Sequence, residues 1–125
     1  MPRIMLVEDD PDLSKLTKAV LVSKGYVVTT YAQGKPAIDD AKRNKPNLII
    51  MDMMLAGMSG AEAVRELKKD PVTAKIPVVF LTGLIEGSEK DVAKQGINVD
   101  GTMYPSLGKP FGLDQLFAII QGAMK

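Results

Sequence analysis

The sequence predicts an α/β domain built on a five-stranded parallel sheet with helices on both faces. Three observations lead there. Five apolar runs recur along the 125 residues, separated by segments of helix length. The first, third and fourth runs are continuously apolar rather than alternating, as strands buried on both faces of a parallel sheet are. The segments between them place apolar residues at helical spacing. Strands that alternate with helices imply right-handed βαβ crossovers.

The runs cover residues 4–7, 26–31, 48–51, 78–81 and, more weakly, 102–107. The second, Tyr26-Val27-Val28-Thr29-Thr30-Tyr31, is half polar and is expected near one edge. The fifth contains Pro105, which has no N–H to give a ladder, so it is expected at the other edge. Leu13, Leu16, Val20 and Leu21 form the stripe of a first helix, with Asp10 as candidate N-cap, Pro11 in the first turn and Gly25 as a stop. Ala37, Ile38 and Ala41 mark a second helix after Gly34 and Pro36. Ser59 and Glu62 have the spacing of a capping box ahead of Ala63, Val64 and Leu67. Residues 88–95 predict a short polar helix. Leu113, Leu116, Phe117 and Ile120 form the stripe of the last one. The stretch 96–101 reads as a loop. No internal repeat or linker divides the chain, so residues 1–125 are read as one domain with no output domain.

Composition then narrows the function. The hydrophobic share of 46% and charged share of 25% are those of a globular chain. Lys and Arg number 16 against 15 Asp and Glu, a net charge of +1 that gives no electrostatic case for nucleic acid or an anionic membrane. No basic helix-turn-helix segment follows the last helix. Cysteine is absent, which excludes disulfides, thiolate catalysis and Cys-ligated metals. Histidine is absent too, which excludes imidazole metal sites, Ser-His-Asp catalysis and a phosphohistidine on this chain. No apolar run approaches the ~18 residues of a membrane span. The N-terminus enters a strand at once, without a signal-peptide pattern. A cytoplasmic protein without membrane contact is expected.

In open α/β sheets, ligands bind beyond the carboxyl ends of the strands. Those positions hold Glu8, Asp9 and Asp10 after the first run, Asp52 after the third, Thr82 after the fourth and Lys109 after the fifth. Clustered carboxylates repel unless a cation neutralises them. Oxygen ligands without His or Cys suit a hard divalent ion, Mg²⁺ or Mn²⁺. A carboxylate, a metal, a hydroxyl and an ammonium around one point are the parts of a phosphoryl-transfer site in which Asp52 attacks phosphorus. Each residue also has a plainer use. The acidic triplet can cap the first helix, Asp52 and Thr82 can serve strand-end turns, and Lys109 can be a solvated charge. The signal is the conjunction: four separate strand exits each supply a group that one reaction needs.

At these residues the sequence resembles a known family. The segments are Ile4-Met5-Leu6-Val7-Glu8-Asp9-Asp10, Leu48-Ile49-Ile50-Met51-Asp52-Met53-Met54-Leu55, Ile76-Pro77-Val78-Val79-Phe80-Leu81-Thr82-Gly83 and Lys109-Pro110-Phe111. Together they are similar to the receiver domain of two-component response regulators, the flavodoxin-like, CheY-like fold with strand order 2-1-3-4-5. The resemblance implies that Asp52 is the phosphoacceptor. It implies that Asp9 binds Mg²⁺ (or Mn²⁺) directly, Glu8 through water, and Met54 by its backbone carbonyl, with Asp52 itself in the metal set. Thr82 matches the switch hydroxyl, and Lys109 the family's lysine, with a cis bond to Pro110. A histidine kinase or histidine phosphotransfer protein would supply the phosphoryl group. The domain would be no enzyme on an external substrate, but a switch that promotes its own aspartyl phosphorylation and dephosphorylation. It would signal to a downstream effector protein through an altered surface on the 88–95 helix, the fifth strand and the last helix.

Three departures stand out. Ala56 lies where the family has proline four residues after the acceptor, which loosens that loop. The stretch 97–108 is long, and Ser106 stands where the family has an aromatic three residues before the lysine. Tyr104 lies two residues earlier, and i and i+2 share a strand face, so Tyr104 and Ser106 are the candidate secondary switch. Met54 and Leu84, two residues beyond Asp52 and Thr82, are both apolar and poorly suited to orienting water, which implies a long-lived phosphoryl group.

Other classes fit less well. A flavin mononucleotide binder of the same topology needs a phosphate loop after the first strand, where Glu8-Asp9-Asp10-Pro11-Asp12 would repel phosphate. An aspartate-nucleophile phosphatase has an acid where Met54 stands, and no Gly-x-x-x-x-Gly-Lys loop is present for nucleotides. The alternative is a receiver-like interaction module that works without phosphorylation.

Overall fold

The computed structural model describes residues 2–55, 57–82, 96–109 and 111–124. Strands β1 (Arg3–Val7), β2 (Val27–Tyr31), β3 (Leu48–Asp52), β6 (Val78–Thr82) and β9 (Ser106–Gly108) form one sheet in the order β2-β1-β3-β6-β9. Every pairing in it is parallel. The half-polar second run does lie at one edge and the strand after Pro105 at the other. β3 and β6 are buried along their whole length, which is what their unbroken apolar runs require.

Helices cover both faces. On one side α2 (Gly34–Asn44) and α3 (Gly60–Lys69) pack Ala37, Ile38, Ala41, Ala63, Val64 and Leu67 against Met5, Ile49, Met51, Val78 and Phe80. On the other, α1 (Pro11–Ser23) and the C-terminal helix (Leu113–Ala123) bring Leu21, Leu116 and Ile120 onto Ile4, Leu6, Ile50, Val79 and Leu81. Strand alternation sorts the residues of each central strand between these two cores. The caps follow the sequence. Asp10 accepts from the N–H groups of Asp12 at 3.0 Å and Leu13 at 3.2 Å, and Ser59 Oγ from the Glu62 N–H at 3.1 Å.

The structure corrects the sequence reading in two places. The apolar stripes of α1 and the C-terminal helix are not buried throughout: Leu16 is 63% exposed and Leu113 51%. The fifth run, read as one strand over 102–107, is two strands interrupted at Pro105. Its first half, β8 (Thr102–Tyr104), pairs antiparallel with β7 (Ile97–Val99), inside the stretch expected to be a loop. Asp100 and Gly101 form the turn with φ of 53° and 91°, the left-handed pair that a two-residue hairpin needs. The second half, β9, enters the main sheet. The expected helix over 88–95, Leu84, Ala56 and the Lys109–Pro110 bond lie outside the described residues.

Beyond β3, a short hairpin of β4 (Met54–Leu55) and β5 (Met58–Ser59) leads into α3. Gly60 opens that helix and donates its N–H to the Met53 carbonyl at 2.9 Å. A Cβ there would lie 2.5 Å from the Asp52 carbonyl oxygen and 3.0 Å from Met53 Cα. Only glycine lets the helix start this close to the strand exit. Gly60→Ala is therefore expected to lower stability by about 1–3 kcal/mol in urea unfolding. Gly122→Ala, in the C-terminal helix with nothing within 4 Å, should instead raise it by about 0.5–1 kcal/mol.

Candidate functional site

The C-terminal ends of β1, β3, β6 and β9 converge on one point, and each delivers one or more of the residues picked out in the sequence. Glu8 follows β1. Its N–H is held by the Tyr31 carbonyl at 2.9 Å, which ties β2 to the site. The acidic triplet divides its work just beyond the end of β1. Glu8 points inward at 2% exposure, Asp9 is exposed, and Asp10 caps α1. Asp52 ends β3 at 3% exposure, and its Oδ1 accepts the Met54 N–H at 3.1 Å. Carboxylate oxygens of Glu8, Asp9 and Asp52 lie within 4.8 Å of one another. Thr82, which ends β6, is buried, and its carbonyl accepts the Lys109 N–H at 2.7 Å. That bond fixes where the lysine side chain begins.

From there the Lys109 ammonium reaches between the acids. Nζ stands 2.6 Å from Glu8 Oε1 and 2.9 Å from Asp52 Oδ2. Among the described residues, no fully buried side-chain nitrogen or oxygen lacks a hydrogen-bond partner. Burial, followed by hydrogen bonding with Asp52, pushes the Glu8 carboxyl up to about 7, against the pull of Lys109. Burial acts on Asp52 in the same upward direction. Hydrogen bonds from Glu8, Lys109 and the Met54 N–H, with the lysine's charge, outweigh it and hold Asp52 below the usual carboxylate range. For Lys109, burial favours the neutral amine, but the two acids outweigh it and keep the ammonium above its ordinary value. The site thus favours the ionised form of Asp52 and draws the Glu8 carboxyl toward its protonated form.

The donor set fits a hard divalent cation: three carboxylates, one of them exposed, in a chain with no His or Cys. Tyr104 and Ser106, expected on one strand face, lie in different strands with Pro105 between them, so the i/i+2 argument does not apply. Tyr104 is buried in the β7–β8 hairpin, its ring edge-to-face with Phe80 at 5.6 Å. Ser106 pairs with Phe80 in the β6–β9 ladder. The sequence reading missed the Gly60 contact, the Tyr31 tether and the β7–β8 hairpin. For the hairpin, Asp100-Gly101 was an available signal.

A carboxyl whose pKa is higher in the folded chain holds its proton more tightly there than when unfolded. Glu8 therefore adds stability that is complete below 4.5 and lost as pH rises through about 7. Without divalent metal, the melting temperature should lose this contribution across that window. A cation favours the ionised carboxyl, so added Mg²⁺ should raise the melting temperature more above pH 7 than below pH 4.5. Thermal melts at the two ends of the window, with and without metal, check both signs.

The response regulator receiver domain profile matches residues 4–121 of this chain. The phosphate regulon transcriptional regulatory protein PhoB of Rhizobium meliloti is 33% identical over 125 residues, all of this chain and 53% of that protein. The chain spans about half the length of several of the curated relatives it matches. Among solved structures, the receiver domain of the sensor histidine kinase PA1611 from Pseudomonas aeruginosa superposes with a TM-score of 0.84 at 30% identity, covering 98% of this chain and 97% of that one. That receiver has a magnesium ion coordinated in its active-site cleft. The chemotaxis protein CheY4 of Vibrio cholerae, at 24% identity and a TM-score of 0.82 over 98% of both chains, shares the fold. With the profile matched along nearly its whole length and its sheet in the 2-1-3-4-5 order, the chain belongs to the response regulator receiver domains of two-component systems.

Proposed function

We propose that this domain accepts a phosphoryl group on Asp52 from a phosphohistidine of a histidine kinase or phosphotransfer protein, and that the modified domain changes its contacts with an effector protein. One observation carries the reading: a buried aspartate at a strand end, bonded to a lysine ammonium at 2.9 Å and grouped with two further carboxylates. Asp52 is the nucleophile, kept deprotonated by its hydrogen bonds. Glu8, Asp9, Asp52 and the Met54 carbonyl would hold Mg²⁺, in line with the magnesium in the Pseudomonas receiver's cleft. Bound there, the cation supplies positive charge to the phosphoryl oxygens.

The chain's own groups do the rest. Lys109 places its charge beside the attacking oxygen and can follow the phosphoryl group once Asp52 is esterified. Thr82 offers a hydroxyl from the neighbouring strand end. Phe80 lies two residues before Thr82 and touches Tyr104, so a shift at the site has a packed route to the β7–β8 hairpin. That route replaces the aromatic that the family carries at Ser106. The rebuilt edge also favours a second reading, an interaction module indifferent to phosphorylation.

Acetyl phosphate with Mg²⁺ is expected to add one phosphoryl group by intact mass. Chelating the metal or substituting Asp52→Asn should abolish it. Absence of an adduct, together with failure to bind beryllofluoride, would leave the interaction module standing. Met54 is 64% exposed and apolar beside the acceptor. Met54→Asn introduces an amide that can hold a water there, and should speed loss of the phosphoryl group several-fold in a dephosphorylation time course.

A further inference from the structure

The chain has eight methionines and no cysteine, tryptophan or histidine. Thioethers are therefore the side chains it offers to a peroxide. The fold sorts them. Met5 and Met51 lie in the core at 1% exposure, whereas Met54 is 64% exposed and Met103 51%. Met54 opens β4 between Met53 and Leu55, which both pack against the core under α2 and α3. Alternation turns its thioether the other way, toward solvent. Its backbone N–H is bonded to Asp52 Oδ1 at 3.1 Å. The more exposed of the two methionines thus stands beside the carboxylate read as phosphoacceptor, while Met103 lies on the β7–β8 hairpin.

We propose that Met54 is an oxidation site through which a peroxide shortens the life of the phosphorylated state. The inference rests on Asp52 as phosphoacceptor and adds a redox input to it. In the oxidation, the sulfur lone pair takes the distal oxygen of the peroxide and the O–O bond breaks. The leaving hydroxide collects the proton left on the transferred oxygen and becomes water. The thioether is oxidised by two electrons and the peroxide reduced by two. As a thioether, Met54 offers water only a weak acceptor. The sulfoxide oxygen is a strong acceptor and can hold a water beside the esterified Asp52. That water's oxygen bonds to phosphorus, and the bond from phosphorus to the Asp52 oxygen breaks. The carboxylate leaves with the electron pair, and both protons of the water end on inorganic phosphate. Methionine sulfoxide reductases return the thioether, so the input is reversible.

The test uses the whole chain with Mg²⁺, with and without prior treatment by hydrogen peroxide, labelled with acetyl phosphate and freed of excess donor. Peptide mapping locates the sulfoxides, and intact mass follows loss of the phosphoryl group. Sulfoxide is expected at Met54 and Met103 ahead of Met5 and Met51, with the half-life of the label several-fold shorter than in the untreated chain. Methionine sulfoxide reductase should restore the longer half-life. Each variant is compared with its own untreated form. Peroxide should still shorten the half-life in Met103→Leu and leave it unchanged in Met54→Leu, whose side chain is apolar and carries no sulfur. An unchanged half-life in a chain shown to carry Met54 sulfoxide would overturn the proposal. An acceleration that persists in Met54→Leu would overturn it too, and so would a Met54 left unoxidised where Met103 is oxidised. If the untreated chain takes no label, the acceptor reading fails first and the redox input with it.

Discussion

The Lys109 ammonium is the charge on which the carboxylate edge of the sheet depends. Glu8 and Asp52 are almost wholly buried, and two ionised acids so placed repel each other and lose their hydration. Lys109 lies within hydrogen-bond distance of both, offsets that repulsion and favours the ionised form of Asp52. The lysine can do this because its own N–H is bonded to the Thr82 carbonyl, so the last strand of the sheet sets its starting point. Fold and chemistry are thus joined at one backbone hydrogen bond. The register of β9 against β6 decides where the positive charge arrives.

The two helical faces serve the site differently. On the α2–α3 side, the Gly60 backbone presses against the Asp52 carbonyl and the Met53 carbonyl takes its N–H, so α3 braces the end of β3 from behind. On the α1 side, Asp10 begins a helix directly after the acidic pair, and Lys109 is among the residues lining a groove between α1 and the C-terminal helix. The α1 side also leaves apolar surface uncovered at Leu16 and Leu113.

Much of this was legible in the sequence, for identifiable reasons. Continuous apolar runs such as Leu48-Ile49-Ile50-Met51 admit few readings besides a doubly buried strand, and the residue that follows such a run is at the ligand-binding edge. Asp52, Thr82, Glu8 and Lys109 could be grouped for that reason without any knowledge of distance. The proton balance could not, because it depends on how deeply each acid is buried and on the hydrogen bonds each receives. Helical periodicity marked Leu16 and Leu113 as apolar but carried no information on whether a neighbouring element covers them. The interruption at Pro105 was signalled by the proline itself. Three-residue strands are too short for alternation to register, and the Asp100-Gly101 turn went unread. The Gly60 contact is tertiary, and a glycine at a helix start has several ordinary explanations.

The placement of Pro105 has a consequence for how the chain can change. Upstream of it, β7 and β8 pair only with each other in the ladders of the described residues, and downstream β9 is locked to β6. A hairpin that pairs internally can gain or lose residues at its turn without moving the strand beyond it. Insertions around Asp100-Gly101 are thereby insulated from the register that delivers Lys109. The hairpin can change length at its turn while the strand that delivers Lys109 keeps its place.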